Sequence, residues 1–249
     1  KEGDHYRING SKMWTSDATL CDYIFVLVRT SPEKPKHEGI SLMLVDMRQP
    51  GVTVSPIQLI SGASPFCETH FSDAVVPLDD VIGGLDRGWT VGKRLLQFER
   101  STHAGINISG SQGGRSEKSQ MPALVARYVS SQAGQLSDPA LRRWLTEFEM
   151  NSHAQRITQR RAIEELSSRA PGFTSSAVKL TNALNIQDGD ELLVAAMGSQ
   201  GLRWDPETAD AEELAALQKW LYQKSLTIAG GTKEVQLNII AKRVLGLPD

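Results

Sequence analysis

The chain has 249 residues, of which 40% are hydrophobic, and this suits a globular protein of one large or two modest domains. Its 27 basic and 29 acidic residues give a formal net charge of −2. No block of one sign appears, so a nucleic acid or an anionic membrane is a poor candidate for a partner. Small-molecule chemistry is the favoured class of function.

The cysteines, the apolar runs and the first ten residues indicate the redox compartment and whether a segment precedes residue 1. Cys21 and Cys67 are far apart and lack zinc or disulfide spacing, which fits a reducing compartment. No apolar run approaches the roughly 20 residues that span a bilayer. The opening KEGDHYRING reads as the inside of a strand followed by an Asn9–Gly10 turn, so we expect a further segment before it.

Residues 1–85 carry short β-branched or aromatic runs separated by turn formers, which predicts a compact β domain. The clearest runs are Tyr23–Val28, Ile40–Asp46 and Val52–Ile57.

Residues 86–249 show helical spacing instead, and Asp138–Pro139 reads as an N-cap followed by proline at the first helical position. The predicted helices include 89–108, 121–131, 139–168, 174–197 and 235–245. The fold class we predict is α+β, with an antiparallel β barrel or sandwich followed by an up-and-down four-helix bundle.

Common catalytic patterns are missing from the sequence. The five histidines are scattered without helical pairing, and no GxSxG elbow is present. A metal site and a serine or cysteine nucleophile are therefore disfavoured.

Four motifs carry a family resemblance, and the first is NGSKMWTSDA, residues 9–18. It resembles the flavin-contacting strand of acyl-CoA dehydrogenases. The resemblance implies that Trp14 lies against the isoalloxazine ring, that the Ser16 hydroxyl hydrogen-bonds flavin N5, and that Thr15 between them belongs to the cofactor site. Taken alone, Trp14 also fits a core tryptophan beside a turn.

The second and third motifs are ETHFSDAVVPLDDVIGGLDRGW, residues 68–89, and TIAGGTKEVQLNIIAKRVLG, residues 227–246. They are similar to the entry into the first bundle helix and to the C-terminal helix of the same family. The resemblance places Thr232 in the cofactor site. Many members carry a catalytic glutamate immediately before the Gly-Thr pair, and here that position is Gly230, which cannot accept a proton.

The fourth motif, LLQFERSTHAG, places Glu99–Arg100 where the isovaleryl-CoA and long-chain branches of the family carry their base. The resemblance implies that Glu99 removes the α-proton and that the Gly230 backbone N–H still binds the thioester oxygen. Arg100 either positions the substrate or anchors the helix. Taken alone, Glu99 also fits a solvated helix glutamate.

The resemblance therefore implies an FAD-dependent dehydrogenation of an acyl-CoA thioester to a trans-2-enoyl-CoA, with hydride passing to flavin N5. It also implies electron transfer to an electron-transferring flavoprotein, a dimeric or tetrameric assembly such as a homotetramer, and a bacterial cytoplasmic or mitochondrial matrix location.

The sequence departs from the family at its FAD-binding segment. The usual QxxGGxG is AAMGSQG here, which keeps Gly198 and Gly201 as implied cofactor contacts but places Ala195 where the glutamine stands. The R-x-x-F-G motif is also absent, and the N-terminal helical domain is missing from the chain. We therefore expect either a fragment or a subunit whose partner completes the cofactor site.

Two alternatives remain open at the sequence level. One is an oxidase or flavin monooxygenase of the same fold, and the other is a non-catalytic subunit that completes the FAD site of a partner. The length, branching or ring character of the acyl group is not readable from these residues.

Overall fold

A computed structural model describes residues 1–103, 119–132, 135–167 and 174–248. The chain forms two compact units, Lys1–Gln97 and Phe98–Asp249. We expected the domains to divide near residue 85, where the strand-like pattern ends. The two compact units meet between Gln97 and Phe98.

The first unit is a sandwich of two antiparallel sheets with the strand orders β1-β5-β4 and β2-β3-β6. Alternate residues of both sheets face a shared core, which is the pattern expected for antiparallel strands with one solvated face. The strands are His5–Ser16 (β1), Tyr23–Arg29 (β2), Ile40–Asp46 (β3), Val52–Ile57 (β4), Phe66–Pro77 (β5) and Val81–Ile82 (β6). The core contains Ile8, Val26, Met43, Val45, Phe71, Ala74 and Val76.

The prediction of an Asn9–Gly10 turn is wrong, because both residues lie inside β1. The pairing of β1 with β5 shifts register between Ile8 and Gly10, which is the signature of a β-bulge. The Asn9 side chain donates to Asp73 Oδ1 at 3.0 Å and accepts from the Asp73 amide at 2.8 Å. These cross-strand bonds hold the bulge where a hairpin turn was expected.

The second unit is helical. Asp138 caps α3 as predicted, because its Oδ1 accepts from the amides of Ala140 at 2.8 Å and Leu141 at 3.0 Å. Helix α4 packs against α3, α5 and α6 and is the central helix of this unit. The helices are Gly88–His103 (α1), Met121–Val125 (α2), Pro139–Ser167 (α3), Thr174–Met197 (α4), Ala211–Gln223 (α5) and Lys233–Ile239 (α6).

Two predicted helices differ from the structure at their ends. Helix α2 ends at Val125 and not at residue 131 as predicted. The residues that follow include Ser131–Gln132 (β7), which pairs with Gln135–Leu136 (β8). The Ser130 and Ser137 hydroxyls, next to these strands, bond at 2.8 Å. The last helix begins earlier than expected and continues as a π-helical turn over Ile240–Val244. The expected end of α1, residues 104–108, lies outside the described residues.

Asp86 ties the loop after β2 to the turn before α1. Its carboxylate accepts from Thr30 Oγ1 at 2.6 Å, Ser31 Oγ at 2.8 Å and Lys34 Nζ at 2.6 Å. The Asp86 amide donates to Ser41 Oγ at 2.8 Å. The Lys34 ammonium, followed by the Thr30 hydroxyl, lowers the pKa of Asp86 from 3.8 to about 2.

We predict that Asp86→Asn lowers the free energy of unfolding at pH 7. Because the folded-state pKa is depressed, the carboxylate stabilises the protein above pH 3.8, and this stabilisation is lost as the pH falls toward about 2. The difference in the free energy of unfolding between wild type and variant, measured by urea titration, should therefore become smaller below pH 4. The exposed Asp79→Asn is the control. A difference in unfolding free energy that does not change with pH would contradict a stabilising role for the Asp86 carboxylate.

Candidate active site

Trp14 occupies a second bulge of β1. The pairing with β5 shifts register between Lys12 and Thr15, and Trp14 has a φ of 65°. A bulky residue with positive φ is uncommon and is maintained by its surroundings. The indole is 58% exposed and meets Phe66 edge to face, with ring centroids 6.0 Å apart. The bulge therefore presents a large aromatic surface at a fixed orientation.

The two residues after Trp14 have different environments. The Thr15 hydroxyl lies 2.8 Å from Thr69 Oγ1 and donates to the Cys67 carbonyl at 2.9 Å, so this side chain is used within the sheet. Ser16 is exposed at the end of β1. Trp14 and Ser16 thus offer side chains to a ligand, whereas Thr15 holds the strand that carries them.

The Gly230–Gly231 pair forms a turn before α6. Both residues have positive φ, 65° and 100°, which glycine adopts at little cost. The Thr232 side chain then caps α6 by accepting from the Val235 amide at 3.3 Å. The expected cofactor residue Thr232 is therefore a helix cap in this structure.

Two buried side chains hold this turn. Lys179 of α4 is 2% exposed, and its ammonium donates to the carbonyls of Leu226 at 3.1 Å and Gly231 at 2.6 Å. Gln236 of α6 is fully buried, and its Nε2 donates to the Gly230 carbonyl at 3.1 Å. Both carbonyls of the turn thus accept from buried donors.

Glu99 lies in the second unit, half-buried on α1. Burial lowers the pKa of Lys179, and the negative charge of Glu99 opposes this effect. The Glu99 carboxylate therefore lies within electrostatic range of the lysine that holds the Gly230 turn. Arg100 follows on α1, and its side chain lies outside the described part of the structure.

The Gly230 amide is available as a donor. Across the described residues, we find no protein acceptor for this N–H, although the Gly230 carbonyl is bonded to Gln236. A backbone N–H aimed at a ligand oxygen stabilises the negative charge that develops there. Lys179 thus bonds Gly231, the residue after Gly230, and the charge of Glu99 raises the pKa of the same lysine.

The two glycines after α4 have different roles. Gly198 has a φ of 56° and is exposed, and a Cβ added there would meet no atom within 4 Å. Gly201 is buried, and an added Cβ would lie 2.9 Å from the Val194 carbonyl. Gly198 leaves room for a ligand, whereas Gly201 is required for packing.

Two family models match the chain. Residues 1–74 match the acyl-CoA dehydrogenase middle domain, and residues 86–245 match the acyl-CoA dehydrogenase C-terminal domain. The chain belongs to the acyl-CoA dehydrogenase family. The expected α+β fold, with an antiparallel middle domain and a helical C-terminal domain, is confirmed.

The chain is similar to several acyl-CoA dehydrogenases. Acyl-CoA dehydrogenase IpdE1 of Mycobacterium tuberculosis is 35% identical, over 99% of this chain and 61% of the relative. Acyl-CoA dehydrogenase FadE34 of the same organism is 31% identical, over 97% of this chain and 31% of the relative. The solved Tcur3481-Tcur3483 steroid ACAD has a TM-score of 0.82 and 29% identity, over 100% of this chain and 62% of that chain.

The chain thus spans less than two thirds of the length of these relatives. Acyl-CoA dehydrogenases are FAD-dependent flavoproteins. In the first unit, the exposed Trp14 indole and the exposed Ser16 hydroxyl fit contacts with an aromatic ring system. In the second unit, taken by itself, the exposed backbone at Gly198 leaves room for a ligand. None of the helices in the described ranges is long and apolar enough to cross a membrane, and those ranges hold no metal-binding cluster of His, Cys, Asp or Glu.

The roles of Lys179 and Gln236 were not predicted from the sequence. The available signal was a lysine inside the apolar stretch SSAVKLTNAL, at a position where helical spacing predicts burial. A buried lysine in a helix needs acceptors from elsewhere in the chain. The sequence gives no indication that these acceptors belong to the Gly230–Gly231 turn.

We predict that Gly231→Ala destabilises the protein more than Gly198→Ala. Both positions have positive φ, which costs an alanine about 1 kcal/mol. At Gly231 the added Cβ would also lie 2.5 Å from Gln236 Nε2, so we expect a total of about 2 to 3 kcal/mol. Chemical denaturation of both variants measures the difference, and equal losses would show that Gln236 does not pack tightly against the turn.

Proposed function

We propose that the complete protein catalyses the α,β-dehydrogenation of an acyl-CoA thioester, with Glu99 as the base that removes the α-proton. The observation that supports this proposal is the hydrogen bond from the buried Lys179 ammonium to Gly231, in the turn that carries the Gly230 amide. The negative charge of Glu99 acts on the same lysine and raises its pKa against the effect of burial. A carboxylate and an oxyanion donor are the two groups that this reaction requires.

The chemistry follows from the weak acidity of the α-proton. The thioester oxygen gains negative charge as the proton leaves, so a hydrogen-bond donor at that oxygen lowers the barrier. The Gly230 N–H is the proposed donor, and Glu99 accepts the proton on its carboxylate. Because the proposed donor is a backbone N–H, the side chain at position 230 has little effect on it.

In the first unit, Trp14 and Ser16 are the proposed FAD contacts. The indole packs against the ring system, and the Ser16 hydroxyl donates to the edge of that ring. Thr15 supports the Trp14 bulge indirectly, through its hydrogen bond to the Cys67 carbonyl. In the second unit, Gly198 is a proposed contact of an FAD phosphate chain, because its backbone is open to a ligand. FAD, when bound, supplies the acceptor for the β-hydride.

The substrate class that we propose is an acyl-CoA with a bulky ring-bearing acyl group. The support is the 29% identity to a solved enzyme named as a steroid ACAD. A partner subunit is also proposed, because the same solved enzyme, Tcur3481-Tcur3483, is a heteromeric complex. An electron-transferring flavoprotein is the proposed electron acceptor.

A non-catalytic subunit is the second candidate, and Gly230 is the observation that favours it, because the usual base is missing there. An oxidase of the same fold is distinguished by oxygen consumption and peroxide release when acyl-CoA is added.

We predict that Glu99→Gln slows the anaerobic bleaching of the flavin by acyl-CoA at least about 100-fold, because general-base catalysis typically contributes this much. The amide is nearly isosteric with the carboxylate and cannot accept the proton. Stopped-flow absorbance of the complete protein with its partner measures the rate.

Glu147→Gln is the matched control, since Glu147 is an exposed glutamate on α3 paired with Arg143. It should bleach at the wild-type rate. Unchanged bleaching in Glu99→Gln would remove Glu99 as the base, and no bleaching in the wild type with any acyl-CoA would favour the non-catalytic subunit.

We also predict that Ser16→Ala slows flavin reduction by about tenfold or more, because the hydride acceptor loses a donor. Ser16 is exposed at the end of β1, so the thermal stability should change little. Ser11→Ala, an exposed serine of the same strand, is the control. Equal rates in the two variants would place Ser16 away from the flavin.

A further inference from the structure

We propose that Lys179 is a positioning residue which, together with Gln236, holds the Gly230–Gly231 turn so that the Gly230 amide points at the thioester oxygen. This inference rests on the proposed function and extends it to residues that contact neither substrate nor cofactor. The geometry that supports it is the pair of bonds from Lys179 to the carbonyls on either side of Gly230.

The turn needs external support because its own conformation is unusual. Gly230 and Gly231 both have positive φ, and two glycines in sequence leave the backbone free to adopt many other conformations. Lys179 bonds Leu226, before the turn, and Gly231, within it. The ammonium thus joins the two ends of the segment that carries the Gly230 N–H.

Burial makes this link strong. Lys179 is 2% exposed, and a charge taken out of water is stable only when its donors are satisfied. Hydrogen bonds from a charged donor are shorter and stronger than neutral ones, in agreement with the 2.6 Å distance to Gly231. The negative charge of Glu99 further favours the ammonium.

Other residues of α4 hold the preceding part of the same segment. Gln187 Nε2 donates to the carbonyl of Gln223 at 2.9 Å, and Lys224 pairs with Glu191. These contacts attach the end of α5 to α4. Gln187 Nε2 also reaches Thr227 Oγ1, at 3.4 Å. The carbonyls of Leu226, Gly230 and Gly231 accept instead from Lys179 and Gln236, so these two side chains hold the turn itself.

The test measures proton abstraction without hydride transfer. The probe is a 3-thia-acyl-CoA, in which sulfur replaces the β-carbon so that no β-hydride can leave. The complete protein with its partner is incubated with the probe in D2O, and deuterium gained at the α-carbon is measured by mass spectrometry. Binding of the probe is measured separately by titration.

We expect Lys179→Met to slow the exchange by about 10- to 100-fold while the dissociation constant of the probe changes less than about threefold, because the donor acts mainly on the developing charge. Lys179→Gln keeps a donor and should recover part of the rate. Lys219→Met is the control, since it leaves the buried Asp190 without its 3.1 Å partner and so destabilises α4 without touching the turn.

An exchange rate in Lys179→Met equal to wild type overturns the proposal, and so does an equal slowing in Lys219→Met, because that would reflect general instability. Should Lys179→Met fail to fold, Gln236→Met removes the other anchor of the turn, and an unchanged rate in that variant also overturns it. Glu99→Gln separates the two proposals: wild-type exchange there refutes the base, whatever Lys179 does.

Discussion

The buried ammonium of Lys179 is the interaction on which the candidate site depends. Its hydrogen bonds connect the central helix α4 to a glycine turn that has no regular secondary structure of its own. Burying a lysine is costly, and the cost is offset here by two backbone carbonyls and by the charge of Glu99. The same group therefore stabilises the turn and lies within electrostatic range of the proposed base.

This arrangement is compatible with the proposed position of the base on α1. The proposed donor to the thioester oxygen is a backbone amide, which is present when residue 230 is glycine. A glutamate at this position would have to adopt a φ of 65°, which is unfavourable for a residue with a side chain. Because the proposed base lies on α1, residue 230 can be glycine. Lys179 and Gln236 then hold the turn through the carbonyls of Gly231 and Gly230.

The sequence predicted the strands and the long helices well because their signals are local. The short apolar run in residues 40–46 and the long stretch without proline in 174–197 depend only on neighbouring residues. The Asn9–Gly10 bulge was predicted as a turn because its conformation depends on Asp73, which is distant in the chain. Tertiary partners of this kind leave no local pattern.

The candidate site was predicted in part for the same reason. Motif resemblance suggested Glu99, Gly230 and Trp14 as site residues, since each lies in a continuous string of matching residues, and these roles stay predictions. The role of Thr15 within the sheet and the anchoring by Lys179 depend on contacts with residues about 50 positions away, at Cys67 and Gly231, so no short motif records them.

The most direct test of the account is a crystal structure of the complete protein, with FAD and its partner, in complex with an acyl-CoA. We expect a Glu99 carboxylate oxygen about 3 to 3.5 Å from the α-carbon and the Gly230 nitrogen within hydrogen-bond distance of the thioester oxygen. A structure in which another carboxylate faces the α-carbon, or in which Glu99 points into bulk solvent, would contradict the account.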